Sequence, residues 1–205
     1  MKLLLIRHGQ TQANIDGLVS SWAPGEELTE LGHQQAETLA TTLADAAIDG
    51  VFASTLIRAQ QSAAPLARTL DQQVVIVDGL HEIEAGEFEG GATREQMIGY
   101  LTPMGIWGTG DLTAAHPGAF DGNHFLARFD RAIEEIVKAT GTDGTAAVIT
   151  HSGCIGVWVA GRANNVTPDF SASHHLGNTD MVELVGDPVN GWEARSWAGA
   201  PVSTH

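Results

Sequence analysis

Cysteine is nearly missing from this 205-residue chain: Cys154 stands alone, so no intrachain disulfide can form. That pattern fits a reducing compartment, and the expected location is cytoplasmic. Cations are scarce too. Ten Lys and Arg face 25 Asp and Glu, a formal net charge of −15. Such a diffuse negative field works against nucleic acid and anionic membrane surfaces as partners. It also repels polyanionic metabolites at long range, so a phosphate would need a local cluster of the few cations. Long apolar runs are absent, and no stretch approaches the roughly 20 residues of a membrane span. Met1–Ile6 is too short for a signal-peptide core and runs straight into Arg7. Internal repeats and low-complexity tracts are also lacking.

What is present is a well-mixed 43% of hydrophobic residues, which excludes a disordered or fibrous chain. The length suits one domain spanning residues 1–205 with a substantial core. Lys2–Ile6 reads as a strand buried on both faces. Thr29 is placed to cap a helix whose apolar positions Ala36, Leu39, Ala40, Leu43 and Ala47 keep helical spacing, with Gly50 as its stop. Val51–Ala53 predicts a short strand. Ser54 or Thr55 then caps a helix carrying Arg58, which Pro65 kinks or ends. Val74–Val77 predicts another strand.

Residues 84–123 are irregular and Gly-rich and read as a cap insertion with one short helix around Thr93–Tyr100. Phe125, Phe129, Ile133 and Ile136 mark a helix ending near Gly141. Ala146–Thr150 is a buried strand, Cys154–Ala160 a helix, and Met181–Val185 with Trp192–Trp197 late strands. Strands separated by helices predict an α/β fold: a three-layer αβα sandwich with a mostly parallel sheet, helices on both faces and a small cap.

In such sheets ligands sit outside the carboxyl ends of the strands, and here the polar residues fall at those ends. Arg7 and His8 follow the first strand, Ser54 and Arg58 the second, and His151 with Ser152 follows Ala146–Thr150. The set suits phosphoryl transfer. A neutral imidazole can attack phosphorus and split one hard displacement into two easier ones. Guanidinium forks match phosphate oxygens, and a second, protonated imidazole balances charge on the equatorial oxygens. Helix starts after Ser54 and Ser152 add backbone N–H donors. A proton donor for the leaving oxygen is available among the four carboxylates of residues 80–90.

Leu4-Leu5-Ile6-Arg7-His8-Gly9-Gln10-Thr11 resembles the signature of the histidine phosphatase superfamily, in its phosphoglycerate-mutase-like branch. The resemblance continues through Leu28-Thr29-Glu30-Leu31-Gly32, Ala53-Ser54-Thr55-Leu56-Ile57-Arg58-Ala59, Leu80-His81-Glu82-Ile83 with Phe88-Glu89-Gly90, Val148-Ile149-Thr150-His151-Ser152-Gly153 and Asn178-Thr179. It implies that His8 becomes phosphorylated and that Arg7, Arg58 and His151 grip the phosphoryl oxygens. It further implies that Glu82 is acid and then base, with Asn14, Ser21 (or Ser20) and Ser152 touching the phosphate. Glu89 is expected to hold backbone rather than to do chemistry. Trp22, Trp107 and His116 are weighed evenly between packing and substrate contact. The family's usual Gly-Glu-Ser element is replaced here by Gly118-Ala119-Phe120-Asp121-Gly122-Asn123-His124, so leaving-group recognition differs.

A mutase must hold a second anion, yet between Glu82 and Asn123 the only basic side chain besides histidine is Arg94. The expected activity is therefore hydrolysis of small phosphomonoesters, with no cofactor and no metal, acting on a small phosphorylated metabolite; a homodimer is the expected assembly. A sugar phosphate, a phosphorylated cofactor precursor and a broad set of monoesters all remain open as substrates. The alternatives are a cofactor-dependent phosphoglycerate mutase and a non-catalytic metal-binding or interaction protein on the same fold, which nine histidines invite.

Overall fold

Strand β1 (Lys2–Arg7) alternates its side chains into two separate cores. Leu3 and Leu5 enter one with Phe129, Ile133, Val148 and Trp158, while Leu4 and Ile6 enter the other with Leu39, Leu66, Ala147 and Ile149. A strand buried on both faces must lie mid-sheet with helices on either side, and that is the architecture of the computed structural model, which describes residues 1–203. The sheet order is β3-β2-β4-β1-β5-β6-β7, with β2 at Gly50–Ala53, β3 at Val74–Ile76 and β4 at Thr145–Thr150. β5 (Met181–Asp187), β6 (Gly191–Trp197) and β7 (Ala200–Pro201) form an antiparallel extension. Five of the seven strands run in the direction of β1, and β5 and β7 are reversed.

Helices α2 (Glu30–Thr42) and α3 (Ile57–Thr69) cover one face, and α5 (Gly122–Thr140) and α6 (Ser152–Arg162) cover the other. Thr29 does cap α2, its hydroxyl accepting from Gly32 N. The helix stops at Thr42 rather than Gly50, because Leu43 and Ile48 reach the core from a turn and Gly50 already belongs to β2. Pro65 lies inside α3 without ending it, since Ala59, Ala63 and Leu66 stay buried along the same face. Two short helices escaped the periodicity: α1 (Gln12–Asp16) and α7 (Pro168–Ser173), each too short to show a repeat.

The segment between β3 and α5 covers the carboxyl end of the sheet. It holds a 3₁₀ turn at Gly86–Phe88 and helix α4 (Arg94–Trp107), which runs two turns beyond Tyr100 and includes Pro103. Thr93 and Gln96 cap α4 reciprocally, each satisfying the other's backbone N–H. Among the described residues, no helix is long and apolar enough to cross a membrane.

Candidate active site

Parallel register sets the site. Arg7 on β1 lies opposite Thr150 on β4, and Ala53 on β2 lies opposite Ile149. His8, Ser54 and His151 are therefore the next residues out of three adjacent strands, which is where α/β sheets bind ligands. The chain leaves β1 through a tight backbone contact: a Cβ on Gly9 would meet Gly32 O at 2.6 Å, and one on Gly32 would meet Gln10 O at 2.2 Å. Only glycine at both positions lets the loop after His8 press against the start of α2.

His8 is buried, and its neighbours assign its tautomer. Arg58 Nε, which can only donate, lies 3.0 Å from His8 Nε2, so Nε2 is the unprotonated nitrogen. Nδ1–H donates to Gly9 O at 2.7 Å. Burial, then Arg58 and Arg7, push the His8 pKa well below its ordinary value, against the pull of the Gly9 carbonyl. The imidazole is thus neutral with a lone pair on Nε2, the form a nucleophile needs.

His151, at the start of α6, is fully buried with its ring centroid 5.1 Å from that of His8. Its Nε2 bonds Ser54 Oγ at 2.7 Å. Burial and then the charge of Arg58 lower its pKa well below normal and favour the neutral imidazole, whereas the protonated form expected from the sequence belongs to the charge building on a transferring phosphoryl group. Ser54 serves His151 rather than capping α3, whose N-cap is Leu56 without a side-chain bond.

Arg58 places Nη2 on Ser20 O at 2.9 Å, and Arg7 places Nη1 on Leu176 O at 2.6 Å. Arg7 Nε, Arg58 Nη1 and His151 Nδ1 are buried without a hydrogen-bond partner among the described residues. Arg58 Nη1 faces the Glu26 carboxylate at 3.9 Å, and a buried guanidinium donor such as Arg7 Nε suits the oxygen of an anion. Burial lowers the pKa of both arginines, while Glu82 in each case pulls it back up.

Glu82 is clasped by the amino end of α6. Its Oε2 accepts from Gly153 N at 3.1 Å, and its Oε1 accepts from Cys154 N at 3.0 Å, from the Cys154 thiol at 3.2 Å and from its neighbour Ile83 N at 2.9 Å. Helix N-terminal donors hold a carboxyl oxygen in place. Ser152 is the first residue of α6, half-buried beside this clasp. Asn14 Oδ1 is occupied by Thr11 N and Asn178 Nδ2, and Asn178 also donates to His8 O.

Ser21 departs from expectation. Its hydroxyl donates to Glu89 Oε2 at 2.6 Å and accepts from Ala85 N at 3.0 Å, so both capacities are used within the loop and none is left for a phosphate. Ser20 gives its hydroxyl to Glu26. Glu89 holds backbone, accepting from Ser21 N at 2.9 Å. His116 is buried in the cap on Tyr100, Trp107 packs on Phe125, and Trp22 is exposed.

Two supporting residues escaped the sequence reading. Arg128 on α5 is 4% exposed and donates to Gly79 O, His81 O and Glu82 O, with Glu84 at 3.3 Å. The His81 hydrogen bond and the Arg128 charge hold Glu84 down at about 2 against its burial. A guanidinium on the apolar face of α5, between Phe125 and Phe129, was the available signal. Asn178 was quoted only as a motif residue, and nothing in its spacing disclosed the bond to Asn14.

This fold and this cluster define a phosphoryl-handling α/β enzyme class, and the comparisons agree. The profile of the histidine phosphatase superfamily (branch 1) matches residues 3–199, and the chain belongs to that family. It is 34% identical, over 96% of its length, to the PE-PGRS family protein PE_PGRS11 of Mycobacterium tuberculosis, and it spans 36% of that relative. It is also 34% identical to the adenosylcobalamin/alpha-ribazole phosphatase of Escherichia coli, over 78% of each chain. The structure of a mycobacterial glucosyl-3-phosphoglycerate phosphatase shares the fold, with a TM-score of 0.80 at 24% identity over 97% of this chain and 99% of that one.

Proposed function

We propose that this protein hydrolyses small phosphomonoesters through a phosphohistidine at His8. The observation that carries the reading is the neutral His8 imidazole, with its Nε2 lone pair fixed beside Arg58, in a site where Arg7 Nε and His151 Nδ1 are buried without a hydrogen-bond partner among the described residues. The phosphatase names of its relatives support it.

In the reaction, a phosphate dianion enters the cluster and Arg58 moves its Nε–H from His8 to a phosphoryl oxygen. Nε2 is then free to attack phosphorus. The ester P–O bond breaks as the N–P bond forms, and Glu82 gives its proton to the departing alkoxide. Arg7, Arg58 and the Asn14 amide hold the equatorial oxygens, and the incoming negative charge favours protonation of His151. Water, losing its proton to Glu82, then attacks phosphorus, and the N–P bond breaks to release phosphate and restore His8. Ser152 lies beside Gly153 and Cys154, whose N–H groups orient the acid. The guanidiniums supply the charge that a metal ion would bring.

Incubation with a ³²P-labelled monoester tests this. Acid-labile label on wild-type protein, absent from His8→Ala, is expected, together with phosphate release unaffected by EDTA. Interconversion of 2- and 3-phosphoglycerate outpacing hydrolysis, with bisphosphoglycerate supplied, would replace the phosphatase with the mutase.

A further inference from the structure

A cavity of about 730 Å³ opens from Arg7 and Gly153 and runs between α4, α6 and α7. It meets the candidate site at Arg7, Ser152 and Gly153, one residue removed from Glu82, whose Oε2 accepts from Gly153 N; His8, Arg58, Glu82 and His151 are not themselves among its lining. A leaving oxygen presented to Glu82 thus has the rest of its alcohol beside this space. The walls are apolar: Met104, Trp107, Leu112, Leu126, Val157 and Leu176 line them. Apart from histidine, Arg7 is its only cationic residue, and Asp169, His174 and His175 stand exposed among the lining. Volumes of roughly 300–1,000 Å³ with apolar walls hold drug-sized ligands, far larger than glycerol or serine.

Two helical glycines add to the space, Gly105 within α4 and Gly161 in the last turn of α6. A Cβ on Gly105 of α4 would meet nothing within 4 Å, and one on Gly161 of α6 only Leu126 Cδ2 at 3.7 Å. Neither glycine has a positive φ. Glycine there weakens the helix relative to alanine with no packing or backbone need for it. Both positions border the cavity.

We infer that the alcohol half of the substrate is bulky, uncharged and largely apolar or aromatic, and that it lies in this cavity between the cap and α6. The inference rests on the hydrolase reading above. A second anion is disfavoured because the only fixed cation in the walls is Arg7, which the proposed reaction already commits to the phosphoryl group, and a small polar alcohol leaves apolar surface wet.

The test compares primary alkyl monoesters, so that leaving-group chemistry is similar: 2-(2-naphthyl)ethyl phosphate, glycerol 3-phosphate and glucose 6-phosphate, with p-nitrophenyl phosphate as a reference. The naphthylethyl ester should show kcat/KM at least roughly tenfold above the other two alkyl esters. Gly105→Leu and Ala160→Phe, both on helices and checked for unchanged thermal unfolding, should cut that ratio by about tenfold. Equal kcat/KM across the alkyl esters, or a ratio indifferent to both substitutions in folded protein, overturns the inference and leaves the phosphatase standing. No phosphate released from any of the four esters overturns both.

Discussion

Nε2 of His8 is held by a single donor, Arg58 Nε, a bond that the proposed attack on phosphorus would have to give up. His8→Ala removes the attacking nitrogen, so no phosphoenzyme should form with any ester. In the same proposal Glu82 acts on the other side of phosphorus, and its weight depends on how badly the leaving oxygen needs a proton. A positioned acid is worth ~10²–10⁴-fold when the leaving group is an alkoxide. Nitrophenolate departs with little help. Glu82→Ala should therefore slow phosphohistidine formation far more with an alkyl ester than with p-nitrophenyl phosphate, as rapid-quench measurement would read. Equal slowing would move the acid role to another carboxylate. Ser21→Ala, by contrast, removes a bond to Glu89 rather than a phosphate contact, so its cost belongs to stability.

At the scale of elements, two contacts decide whether the catalytic loops hold their places. The loop after β1 packs backbone to backbone on the first turn of α2 at Gly9 and Gly32. Helix propensity says that Gly→Ala inside α2 should help by about 1 kcal/mol. Here the new Cβ would meet Gln10 O at 2.2 Å, so Gly32→Ala should lower the unfolding midpoint and activity together. The loop bearing Glu82 hangs from Arg128, whose fork gathers three carbonyls. Removing it strands buried acceptors at about 1–3 kcal/mol each, less whatever water recovers. Arg128→Met should thus cost roughly 3 kcal/mol in denaturant unfolding. Arg128→Lys should rescue little, because one ammonium cannot reproduce the planar fork.

For the molecule as a whole, the buried histidines govern how it tolerates acid. His8 and His151 are neutral in the fold with pKa values well below the ordinary one, burial being the main cause. The unfolded chain protonates them near pH 6.5. As pH falls below that point the unfolded state takes up protons that the folded state refuses, so stability drops; above it their contribution is level. The slope reaches at most ~1.4 kcal/mol per pH unit for each histidine. Glu84 behaves differently: its pKa, lowered from 4.5 to about 2, adds stability that is present above the unfolded value and lost as pH falls from there through the folded one. The decline in unfolding midpoint between pH 7 and 5 should therefore be the histidines', and His151→Asn should flatten it. An unchanged slope in that variant would remove His151 from this role.

The order of elements was written in the sequence because its signals are local. A doubly buried apolar run, the Thr29 cap, the spacing of Phe129, Ile133 and Ile136 and the polar residues at three strand ends need no distant contact to be seen. They were enough for an αβα sandwich with Arg7, His8, Arg58 and His151 singled out, while Glu82 was picked from its neighbouring carboxylates only by the family resemblance. Helix ends were less legible: Leu43 keeps the α2 repeat yet leaves the helix, and Pro65 stays inside α3, since packing outweighs local preference there. Charge state was not legible at all. Only the tertiary structure encloses His151 and makes it neutral, turns Nε2 of His8 toward Arg58, and gives the Ser21 hydroxyl to Glu89 and Ala85. The same holds for Arg128, which reaches back 46 to 49 residues to hold the Glu82 loop. Tautomers, desolvation and hydrogen-bond competition depend on neighbours distant in the chain, and a one-dimensional pattern does not record who those neighbours are.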